Sequence, residues 1–137
     1  MDVKVSWKGG MSFEGTNEHG QSVTMDGDQP GSGVSPMENV LMSLGGCSSV
    51  DVVMILEKAR QKVKDCVVSI HGERVDDIPR VFKEIHICFS VYGEDIAEHH
   101  VKRAVSLSME KYCSVSKMLD ASVKIKAEYK IFNTASD

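Results

Sequence analysis

Short runs of alternating apolar and polar residues occupy the first third of the chain: Val3, Val5 and Trp7, then Met11 and Phe13, then Val23 and Met25. Gly9-Gly10 and Asn17-Glu18-His19-Gly20 separate them. A period of two places successive side chains on opposite faces, so these runs predict a three-stranded meander. The stretch Asp26-Gly27-Asp28-Gln29-Pro30-Gly31-Ser32-Gly33 suits neither helix nor strand and predicts a loop. At Ser35 the pattern changes. Ser35-Pro36-Met37-Glu38 joins a capping serine, a proline at the first helical position and a glutamate three residues after the cap. From Val40 to Leu56 apolar residues fall on nearly every side of the predicted helix, which implies burial all round. Glu57, Lys58, Arg60, Gln61, Lys62 and Lys64 then predict an exposed C-terminal end whose cations complement the helix dipole.

Alternation returns at Cys66, Val68 and Ile70. After the Asp76-Asp77-Ile78-Pro79 turn it continues at Val81, Ile85, Ile87, Phe89 and Val91, with Cys88 on the opposite face. Residues 94 to 110 carry Ile96, Ala97, Val101, Ala104, Val105 and Met109 at helical spacing. Tyr112-Cys113-Ser114 breaks that helix, a short one follows through Leu119, and Val123, Ile125, Ala127, Tyr129 and Ile131 form a last strand. The expected fold class is α+β. Six short strands and one other substantial helix offer little material to cover an all-apolar helix, so a homodimer sharing that helix as core is expected.

At 137 residues the chain reads as a single domain, 1–137, with the meander and glycine-rich loop in 1–34 and the helices and remaining strands in 35–137. Its charge is uneven: two lysines face eight acids through residue 57, fourteen cations face twelve acids beyond it, and no arginine precedes Arg60. An acidic chain without a basic stripe excludes nucleic acid as the main partner. No run of apolar residues reaches membrane-spanning length, and the N-terminus lacks a basic start followed by an apolar stretch. No membrane association and a cytoplasmic location are expected.

Chemistry centres on Cys47, Cys66, Cys88 and Cys113, spaced by 19, 22 and 25 residues with no Cys-x-x-Cys pair, so a zinc site is not expected. Cys66 and Cys88 sit in strands and read as small buried hydrophobes. Cys47 follows Gly45-Gly46 inside the apolar helix, where each glycine costs about 1 kcal/mol relative to alanine. That pair marks either close helix packing or access for a ligand. Cys113 lies near the N-terminus of the short helix, where exposed amides, Lys111 and Lys117 favour a thiolate; alternatively it simply caps the helix. Asp51, one turn beyond Cys47, would raise a Cys47 thiol. His99 and His100 read as a solvated pair, and His71 and His86 lie in strands without an assignable carboxylate partner. A cysteine-histidine hydrolase built on Cys47 or Cys113 lacks any local base.

The runs Ser35-Pro36-Met37-Glu38, Leu41-Met42-Ser43-Leu44-Gly45-Gly46-Cys47-Ser48 and Asp51-Val52-Val53, with Glu110-Lys111-Tyr112-Cys113-Ser114-Val115-Ser116, resemble the osmotically inducible protein C (OsmC) and organic hydroperoxide resistance (Ohr) superfamily, specifically its YhfA-like branch. The resemblance covers nearly the whole chain, including the 66-residue separation of the two motif cysteines. It implies an intertwined homodimer with antiparallel sheets packed around a long buried central helix and two active sites at the subunit interface. It also implies a thiol peroxidase for oxidative-stress defence, in which Cys47 attacks an organic hydroperoxide to become a sulfenic acid. Cys113 resolves that acid to a disulfide, and an unidentified dithiol reductant reopens it. No cofactor or metal is implied.

Two positions depart from the peroxidase pattern. That pattern has an N-terminal arginine beside the thiolate, absent here, and a glutamate directly after the helix-opening proline, where this chain has Met37. Glu38 is one place later, rotated by about 100 degrees on a helix, and its capping-box role accounts for it. Lys8, Arg60, Arg74 and Arg103 are the candidate replacement cations. The alternative to an enzyme is a dimer of the same fold that binds a small apolar or thiol-containing ligand in the interface pocket.

Overall fold

The computed structural model describes residues 1–134, so the last three residues of the expected single domain lie outside the described residues. The chain forms two compact units, Met1–Met42 and Ser43–Asp137, with the boundary inside the long helix. In the first unit β1 (Val3–Gly9), β2 (Ser12–Asn17) and β3 (Ser22–Asp26) form the expected antiparallel meander in that order. The glycine-rich loop is organised by Asp26, whose carboxylate accepts the Asp28 and Ser32 amides and the Ser32 hydroxyl. Those bonds hold the Asp26 carboxyl below its ordinary range. The apolar residues of β1 remain exposed, with Trp7 at 68%.

Helix α1 (Pro36–Lys58) begins with a complete capping box: the Glu38 amide donates to Ser35 Oγ at 3.1 Å and the Ser35 amide donates to Glu38 Oε1 at 2.8 Å. The helix is long and apolar enough to cross a bilayer by length and composition. Its buried positions Leu44, Gly45, Ser48, Val52 and Leu56 follow the four-residue ridge of a helix and form one stripe, not the full circumference that its composition implies. Met42, Val50 and Met54 stay 54%, 62% and 43% exposed within the chain. The helix also stops earlier than its lysine-rich tail suggests. Arg60 turns into the left-handed region at φ 59°, and β4 takes over from Lys62.

The second sheet is ordered β4-β5-β6, formed by β4 (Lys62–Arg74), β5 (Phe82–Glu94) and β6 (Lys124–Asn133). β4 and β5 pair antiparallel, but β6 runs parallel to β5, correcting the expectation of wholly antiparallel sheets. Parallel neighbours need a long crossover, and the helical segment between β5 and β6 supplies it. Ile85, Ile87, Phe89 and Val91 are buried as expected, and Cys88 is on the other face. Val81 is not part of that face. Arg74 pairs with Phe82 and Glu73 with Glu84, so Lys83 is an extra residue; the bulge reverses the alternation and buries Phe82 instead.

β5 continues to Glu94, past the expected helix start, and Asp95 at φ 49° ends it. Helix α2 (Glu98–Leu107) follows, then a π-helical turn (Ser108–Tyr112), extended Cys113, and α3 (Ser114–Leu119). Val101, Ala104, Val105 and Ser108 form the buried stripe of α2 and its continuation.

Candidate functional site

The site is assembled within the second unit, where the C-terminal part of α1 meets the π turn. Gly45 permits the approach of α1 to β4: a Cβ there would lie 2.8 Å from Ile70 Cδ1. Gly45 is thus a packing glycine, against a strand instead of another helix. Gly46 is exposed and has nothing within 4 Å of an added Cβ.

The π turn sets the opposite wall. Its wider ring lets the Cys113 amide donate to the Ser108 carbonyl at 2.8 Å, five residues back. Ser108 is fully buried, and its hydroxyl reaches α1 at Asp51 Oδ2, 3.0 Å, and the Ser48 carbonyl, 3.3 Å. A serine on an otherwise apolar helical stripe was the available sign of this role. Nothing in a single sequence marks the wider turn itself.

These contacts bring together the two motif cysteines. Cys47 is among the groups that raise the Cys113 thiol, so the two motif cysteines are neighbours in the fold. Cys113 is 1% exposed and extended at the N-cap of α3, and its sulfur accepts the Ser116 amide at 3.4 Å. The expectation that exposed amides favour a thiolate here fails on balance. The Ser116 amide does lower the pKa, but burial outweighs it, and the bond to Cys47 with the charges of Cys47 and Asp51 adds to the rise, so the thiol is pushed up to about 11. Lys111 and Lys117 face elsewhere: Lys111 lies over the Tyr112 ring and Lys117 pairs with Asp120. Both motif cysteines are free.

The other candidates separate clearly. Glu38 is engaged with Ser35, as its capping role requires. Asp51 joins the site through Ser108. Cys66 and Cys88 are half-buried in strands with raised pKa values, by burial first and then by Asp65 and Glu128 respectively. His71 and His86 do have carboxylates nearby: Glu73 at 3.8 Å, two residues along the same strand, and Glu128 at 3.9 Å on β6, which the pairing of β5 with β6 brings close. His99 and His100 stack on each other on α2. Among the replacement cations, Lys8 pairs with Glu14, and Arg74 donates to the Arg80 carbonyl. Arg103 instead lines a cleft of about 590 Å³ with Asp51, Met54, Ile55, Lys58, Leu107 and Tyr112. No group of three or more metal-ligating side chains occurs among the described residues.

A helix with a cysteine after paired glycines, facing a second cysteine at a helix N-cap in an α+β frame, defines the class. The family pattern for an OsmC-like protein matches residues 27–128, and the chain belongs to the OsmC-like family. Protein YhfA of Escherichia coli (strain K12) is 46% identical over 131 residues, covering 96% of this chain and 98% of that protein. Among solved structures, a hypothetical protein from Aquifex aeolicus VF5 superposes with a TM-score of 0.89 at 33% identity, over 98% of this chain and 97% of that one. The organic hydroperoxide resistance protein OhrB of Bacillus subtilis superposes with a TM-score of 0.67 at 20% identity, over 95% and 98%.

Proposed function

We propose that this protein is a cytoplasmic thiol peroxidase that reduces organic hydroperoxides with Cys47 and Cys113. The observation that carries this is the proximity of two free thiols 66 residues apart in sequence, Cys47 half-buried and Cys113 buried, with Cys47 among the groups acting on Cys113. The named activity of the OhrB neighbour is consistent with it. The Cys47 thiolate attacks one peroxide oxygen, the O–O bond breaks, and the departing alkoxide takes a proton to leave as the alcohol. Cys47 becomes a sulfenic acid. Cys113 then gives up its proton and attacks the Cys47 sulfur, forming the disulfide and releasing water, which spares the sulfenic acid from further oxidation. A dithiol reductant restores both thiols.

The working form is a homodimer. Exposed Met42, Val50 and Met54 on α1, and Val3, Val5 and Trp7 on β1, give each unit apolar surface that a second copy would cover. After one equivalent of cumene hydroperoxide, peptide mapping is expected to recover a Cys47–Cys113 disulfide, and retention of both thiols overturns the proposal. A monodisperse monomer by light scattering at micromolar concentration overturns the dimer.

One observation favours a second reading, a ligand-binding dimer without turnover: no arginine precedes Arg60, and of the candidate replacement cations Lys8 pairs with Glu14 and Arg74 donates to the Arg80 carbonyl. On that reading Cys47 is alkylated no faster than free cysteine, and Cys47→Ser leaves ligand binding intact.

A further inference from the structure

Two hydrogen bonds in series join the helix that carries one motif cysteine to the backbone of the other. Asp51 stands one turn after Cys47 on the same side of α1, and its Oδ2 accepts the Ser108 hydroxyl at 3.0 Å. The Ser108 carbonyl in turn accepts the Cys113 amide at 2.8 Å. Ser108 is fully buried, which shields its hydroxyl from competing water. Both bonds lie within one chain, so neither depends on what covers the exposed face of α1. Among the described residues, Asp51 is also the one carboxylate acting on Cys113.

We propose that Asp51 is the positioning residue of the resolving step: through Ser108 it docks the π turn onto α1 and so holds Cys113 where it can attack the Cys47 sulfur. Its place in turnover rests on the peroxidase reading, in which the Cys113 sulfur displaces hydroxide from the Cys47 sulfenic acid and the thiol proton joins that hydroxide to leave as water. The carboxylate then acts in two opposite senses. Its bond to Ser108 brings the thiol into place and speeds resolution, whereas its charge disfavours the Cys113 thiolate and slows it. The groups acting on Cys113 are Cys47 and Asp51 from α1 and the Ser116 amide from α3. Lys58 and Tyr112 line the cleft beside Asp51 with Arg103 of α2, while Lys111 lies over the Tyr112 ring and Lys117 pairs with Asp120.

A reaction that needs no peroxide separates position from charge. In a Cys66→Ser, Cys88→Ser background, dipyridyl disulfide converts Cys47 to a mixed disulfide, located by peptide mapping. Attack of Cys113 on the Cys47 sulfur then releases thiopyridone, which carries off the thiol proton and is read by absorbance. Asp51→Asn keeps an acceptor for the Ser108 hydroxyl and loses the charge, whereas Asp51→Ala loses both. Cys113 alkylation is expected to shift to lower pH in both variants. Release is nevertheless expected to be about fivefold slower in Asp51→Ala than in Asp51→Asn, the size of one hydrogen bond. With Ser108→Ala added to each, that ratio is expected to fall to one. A ratio of one with Ser108 in place overturns the proposal, as does a ratio that survives Ser108→Ala or an unchanged Cys113 alkylation profile in Asp51→Asn. If an Asp51 variant does not fold, Ser108→Ala decides alone: slower release upholds the proposal and wild-type release overturns it. If Cys47 resists the reagent, the stability of the Cys47–Cys113 disulfide in glutathione buffers is compared across the same variants, with the same ratios expected and the same ones overturning. Cumene hydroperoxide is applied in parallel; if it oxidises neither thiol, the peroxidase reading falls, and the release ratios still decide the role of Asp51.

Discussion

The second unit holds two pairs of cysteines under opposite arrangements. Cys66 and Cys88 are on neighbouring strands, half-buried, with raised pKa values beside Asp65 and Glu128. Cys47 and Cys113 meet where α1 faces the π turn, and the Cys113 thiol is also raised, to about 11. A perturbed thiol therefore does not distinguish the candidate site from the sheet. What distinguishes it is that a second thiol, Cys47, acts on Cys113 beside the Asp51 carboxylate, whereas burial and the carboxylates of Asp65 and Glu128, with no thiol, raise Cys66 and Cys88.

Substitution gives the largest expected effect. Cys47→Ser is expected to abolish hydroperoxide-dependent disulfide formation, while the double variant Cys66→Ser, Cys88→Ser leaves its rate unchanged by stopped-flow thiol loss. A strand variant as inactive as Cys47→Ser would erase the contrast between the pairs. Second in size is pH dependence. With a pKa of about 11, only about one Cys113 in a thousand is ionised at pH 8, so its alkylation rate should climb tenfold per pH unit well past pH 9. In Cys47→Ser the bond and charge that help raise it are gone, and the profile should shift to lower pH.

The same shift has a sign for stability. The folded chain holds the Cys113 proton more tightly than the unfolded chain, so this contribution is complete below pH 9 and is lost as pH rises from 9 toward 11. Thermal melts should fall across that window in wild type and less steeply in Cys113→Ala. Third, Gly45→Leu overpacks α1 against Ile70 and should cost about 1–3 kcal/mol in denaturant titration. Its disulfide yield should drop as the helix shifts. Smallest is Ser108→Ala, which removes one hydrogen bond to Asp51 at about 1 kcal/mol and should change disulfide formation only a few-fold.

The start of α1 was legible because a capping box is a local device, complete within four residues. Its end was not. Gln61 to Lys64 read equally well as a solvated helix tail or a strand, and the left-handed Arg60 decides between them. The bulge at Lys83 was hidden because a one-residue slip leaves the composition of an alternating run unchanged. For the site, the two motif cysteines and Asp51 were visible in sequence, but the sign of the Cys113 shift was not. Burial depends on what the fold stacks around a thiol, whereas the nearby amides and lysines are sequence neighbours. The Lys58–Arg103 cleft was invisible for the same reason, being made by two helices 45 residues apart.

The wide turn at Ser108–Tyr112 makes the meeting of the thiols a matter of counting residues. Five residues close that ring where an ordinary helix uses four, so the turn is a one-residue insertion preserved in the backbone. If the same residues wound as a regular helix, every side chain downstream would swing by about 100 degrees. Cys113 would keep its neighbours in sequence and lose its partner in space, so a relative of equal length that closes this turn as a regular helix should retain the fold and both cysteines without the paired thiols.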